Sequence, residues 1–90
     1  MPLTRGRTLG YNAGRMTFDF TMMDKAKVVD CEISSTAMDQ FARTRGTLPA
    51  EREAQFLHLR DRIERIASEL FDGMPMPPGG KIRIFYHHIR

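Results

Sequence analysis

The chain has 90 residues, 41% hydrophobic and 28% charged, an ordinary balance for one globular domain. Its single cysteine, Cys31, excludes an internal disulfide and a cysteine-based zinc cluster, and no run approaches the ~18 apolar residues of a membrane helix. The net charge of +3 sits on the leading arm, where Arg5, Arg7 and Arg15 are the only charges; from Met16 onward the remaining 11 of 14 basic residues face 11 acidic ones.

A chain this short buries only roughly 60–65% of its unfolded surface, so any site should be shallow or shared with a second subunit. No apolar stretch follows the basic start, so we expect no secretory signal and a cytoplasmic location.

Residues 1–10 combine Gly, Pro and Arg with little apolar periodicity, which predicts a flexible basic arm ahead of a single domain over 11–90. Met16, Phe18, Phe20 and Met22 alternate with Thr17, Asp19 and Thr21, the period of a half-buried strand. After a turn at Asp24-Lys25, Val29, Cys31 and Ile33 alternate with Val28, Asp30 and Glu32, so the two runs read as an antiparallel hairpin.

Ser34 has the position of a helix N-cap, and Ile33 and Met38 have hydrophobic-staple spacing around it. The first helix is expected over 35–45, closed by Gly46 as a left-handed cap. Pro49 then restarts a helix, and Phe56, Leu59, Ile63, Ile66 and Leu70 make an amphipathic stripe from about 50 to 72. The breaker-rich stretch 73–80 is a connector: its prolines lack the N–H donors that a phosphate cradle needs. The last strand, expected over 81–89, places Ile82, Ile84, Tyr86 and His88 on the core side and Arg83, Phe85, His87 and Ile89 outside.

The predicted class is α+β: a small antiparallel sheet of three strands, or four, in the order β-β-α-α-β, with both helices on one face. In that order the chain resembles the domain of unknown function 1488 family. The matching residues are Tyr11, Met16-Thr17-Phe18, Val29-Asp30-Cys31-Glu32-Ile33-Ser34 with Ala37-Met38, and Phe56 with Arg60, Ile63 and Ala67. The resemblance covers most of 11–85 and implies a bacterial cytoplasmic protein of similar size with no established activity or catalytic residues.

Strand alternation separates His87 from His88, and no H-E-x-x-H spacing occurs, so we expect neither a metal site nor a cofactor. Ser34 and Ser35 serve a helix start, and Cys31 points inward with no activating base placed by local sequence, so we expect no catalytic residues. The candidate surface is the outer sheet face: Asp19, Asp30, Glu32, Arg83, Phe85, His87 and Ile89. Cross-strand charge pairing would explain its charges, and its apolar members suit association with another protein or a second copy of the chain. A non-enzymatic interaction or accessory protein is therefore the expected role. Weak nucleic-acid binding through the arm and the long-helix arginines is the alternative, and an acid–base site around His87 a third reading. No membrane association is expected.

Overall fold

The computed structural model describes residues 3–73 and 80–85. In chain order the elements are β1 (Thr4–Asn12), β2 (Thr17–Asp24), β3 (Lys27–Ser34), α1 (Ser35–Ala42), a short 3-10 turn (Pro49–Glu51), α2 (Arg52–Gly73) and β4 (Lys81–Ile84). The four strands form one sheet in the order β1-β2-β3-β4. The α+β class follows as predicted, with β1 as the fourth strand.

The alternating residues of the hairpin decide which face is buried. Phe18 pairs with Ile33, Phe20 with Cys31 and Met22 with Val29; Cys31 and Ile33 then pair with Ile82 and Ile84. These side chains point to one face of the sheet.

 

On that face Phe56, Leu59, Ile63 and Ala67 of α2 and Ala37 and Met38 of α1 close a single core. Phe56 stacks on Phe18 at 4.4 Å between ring centroids and tilts against Phe20 at 5.0 Å. Full burial of one such apolar side chain is worth about 1.5–3 kcal/mol.

Ser34 caps α1 as expected, its Oγ accepting the Ala37 N–H at 3.1 Å. The helix stops earlier than predicted, at Ala42, because Arg43 itself takes the left-handed conformation (φ 56°) and its N–H turns back to the carbonyls of Asp39 and Gln40. Gly46 is also left-handed, in the loop beyond.

Two further differences come from long-range contacts. Thr4–Asn12 is an edge strand, not a flexible arm. It pairs antiparallel with β2 through two register irregularities, which, with its polar residues and two glycines, erase the alternation that marks a strand. Four bonds from α2 hold it down: Arg5 reaches Asp61 (2.6 Å) and Glu64 (2.9 Å), Arg60 donates to the Gly6 carbonyl (3.2 Å), and Ser68 Oγ accepts the Leu3 N–H (3.2 Å). Second, β4 runs parallel to β3, so the sheet is mixed. A parallel neighbour needs a long crossover, and α1 with the 22-residue α2, about 33 Å long, returns the chain to the end of the sheet where β3 began.

Met16 departs from its predicted place on the core face. It is left-handed (φ 55°) and 59% exposed, at the entrance to β2, where its carbonyl accepts the Ser35 N–H at 2.9 Å.

Candidate functional site

The register orders the outer face into rows. Asp19 lies opposite Glu32 and Glu32 opposite Arg83; Thr21 lies opposite Asp30 and Asp30 opposite Lys81; Met23 lies opposite Val28. Thus Asp19, Asp30, Glu32 and Arg83 share one face, as the alternation predicts. Phe85, just past β4, is exposed. His87 and Ile89, and with them the pairing of His87 with a carboxylate, lie outside the described residues.

Glu32 is the centre of this face and is only 3% exposed. Lys81 Nζ stands 3.1 Å from Oε1, Arg15 Nη2 3.2 Å from the same oxygen, and Arg83 Nε 3.9 Å from Oε2. Arg15 also donates to Oε2 at 3.3 Å. Oε1 receives no aligned hydrogen bond among the described residues, so Lys81 and Arg15 hold it by charge rather than by directed donation. Asp19 is half-buried and accepts the Thr17 hydroxyl at 3.0 Å, while Asp30 is exposed. The arrangement is a buried carboxylate neutralised from three sides, a static support for the sheet.

Sequence reasoning missed Arg15 and Lys81 as partners of Glu32. Their position beside strand ends was visible, but the mixed sheet that brings both to one carboxylate was not. A second network was missed entirely. Arg52, buried at the start of α2, reaches Asp39 of α1 at 2.7 Å, donates to Gln55 at 2.7 Å and stands 5.7 Å from the Tyr11 ring centroid. Asp39 also accepts from Gln55 and from the Thr47 hydroxyl. Burial alone would raise the Asp39 carboxyl, but hydrogen bonds from Arg52, Gln55 and Thr47 outweigh it and hold the pKa at about 2.

Cys31 is sealed in the core, and burial pushes its thiol up to about 12, far from a reactive thiolate. Among the described residues no group of His, Cys, Asp and Glu side chains is arranged to hold a metal ion, and no helix is long and apolar enough to cross a membrane.

A family model described as protein of unknown function (DUF1488) matches residues 6–84. The chain belongs to the DUF1488 family. A crystal structure of a DUF1488 protein of unknown function from Shewanella loihica PV-4 is similar in fold, with a TM-score of 0.73 at 18% identity over 90% of this chain and 92% of that one. No curated protein matches the chain. The DUF1488 match begins inside β1 and ends at the last residue of β4, so it covers most of β1, the other three strands and both helices.

Proposed function

We propose that this DUF1488 chain is a small bacterial cytoplasmic interaction or accessory protein, without catalytic activity, that binds another protein or a second copy of itself through the outer sheet face. The observation that carries the reading is the layout of that face. Val28 is exposed beside half-buried Met23 at one end and Phe85 is exposed at the other, with the Glu32 ion pairs between them. Apolar ends around a neutralised centre lower the desolvation penalty of covering the face. Support against an enzyme is chemical: Cys31 is sealed as a thiol, and Asp39 and Glu32 are both committed to cations.

The nucleic-acid alternative loses much of its charge. Arg5, Arg15 and Arg60 are ion-paired, and Arg52 is buried. Affinity capture with the full chain, at low and high salt and with nuclease, tests the choice. Protein recovered at both salt concentrations and unaffected by nuclease is the expected result. A catch consisting of nucleic acid, lost as salt rises, would overturn it.

A further inference from the structure

The helical side of the molecule carries a different surface. Between the end of α1 and the solvent-facing flank of α2 lies a groove of about 530 Å³, lined by Phe41, Ala42, Arg43, His58, Leu59 and Arg62. We propose that this groove docks an acidic peptide segment of a partner protein, one carrying an apolar anchor residue between its carboxylates. The inference rests on the interaction reading of the chain but not on the outer sheet face.

Charge points to the occupant. No carboxylate lines the groove among the described residues. Arg43 and Arg62 make no ion pair among the described residues, as is also true of Arg7, Arg45 and Arg65, but only Arg43 and Arg62 meet at this groove. Two unneutralised guanidinium groups lining one groove attract carboxylates and offer each a bidentate geometry. The floor points the same way. Half-buried Phe41 and Ala42 and buried Leu59 form an apolar base suited to one aliphatic or aromatic side chain. A polynucleotide would need a longer basic track with aromatic faces open for stacking.

Arg43 can also be replaced without backbone strain. It holds a left-handed conformation at the helix end, where glycine is the favoured residue.

Selection of short random peptides displayed on phage against the full chain tests this. Enriched peptides are expected to place Asp or Glu on both sides of a Leu, Ile or Phe. They should bind the Arg43→Glu/Arg62→Glu variant about tenfold more weakly, as two exposed pairs made repulsive imply. In spectra of the labelled chain they should move the amide signals of residues 41–43 and 58–62. Arg43→Gly provides a second variant that relieves the left-handed strain, so it should fold at least as well while still weakening binding.

Absence of acidic enrichment, or equal binding to both charge-reversed and original chains, overturns the proposal. So does a single-stranded oligothymidylate that moves those amides when no peptide does. Peptides that instead move β3 and β4 amides overturn the groove while leaving the interaction reading standing. If neither peptides nor cellular proteins bind, both fall.

Discussion

Gly6 lies where β1 presses closest on its neighbour. A Cβ there would stand 2.4 Å from the Thr21 carbonyl oxygen, a backbone atom that cannot swing away. The Thr21 hydroxyl already accepts the Arg7 N–H at 2.8 Å across the same gap. Gly6→Ala is therefore expected to destabilise the fold by about 1–3 kcal/mol, the range for overpacking, measured by denaturant unfolding. An unchanged midpoint would mean that β1 can lift off β2 without loss. Glu32 presents the opposite situation, a side chain that is needed rather than excluded. Glu32→Gln keeps the shape but leaves Arg15, Lys81 and Arg83 facing one another without a counter-charge. The variant should melt at lower temperature, and added salt should narrow the difference by screening the three exposed or half-buried cations. A salt-independent difference would instead assign the loss to packing.

At the scale of elements, the Asp39–Arg52 pair joins α1 to α2 across the loop between them. Its guanidinium is buried, so removing the carboxylate leaves a charge without compensation; Asp39→Ala should cost about 3 kcal/mol in unfolding free energy. The pH dependence has a definite sign. The Asp39 carboxyl is held at about 2, below the value near 3.9 of an unfolded chain. Its contribution is complete above the unfolded value and is lost as pH falls from about 4 towards about 2. Acid titration of stability should show that loss in the original chain and a shallower one in Asp39→Asn. β1 supplies the matching test on the other side of α2. Deletion of residues 1–12 should destabilise the whole domain, because it uncovers the β2 edge and removes the Arg5 pairs with Asp61 and Glu64 and the Leu3 bond to Ser68. Circular dichroism of an intact, equally stable remainder would show β1 to be dispensable.

The charge of the whole molecule is redistributed by folding. The excess that the sequence places on Arg5, Arg7 and Arg15 is largely met by Asp61, Glu64 and Glu32 once the strand docks. The cations left unpaired at the α1–α2 groove are Arg43 and Arg62, residues whose neighbours in sequence gave them no special standing. If the outer sheet face mediates association as proposed, Val28→Asp should weaken self-association or partner capture while leaving the melting temperature close to that of the original chain, because Val28 is exposed and outside the core. Sizing chromatography of the two chains at matched concentration reads the first case directly.

Local pattern was enough for the hairpin, the Ser34 cap and the α2 stripe, because the alternation of Phe18, Phe20 and Met22 and the spacing of Phe56, Leu59 and Ile63 record which face each element buries. It was also enough to gather Asp19, Asp30, Glu32 and Arg83 on one face, since strand neighbours alternate regardless of strand order. Tertiary structure alone decided the rest. β1 is a strand because α2 and β2 hold it, not because its own residues alternate. β4 is parallel because of where a long helix delivers the chain. Glu32 gains three cations, and buried Arg52 its half-buried carboxylate partner, through contacts between separate elements. Periodicity reports the environment of one element; pairing, direction and neutralisation depend on how separate elements meet.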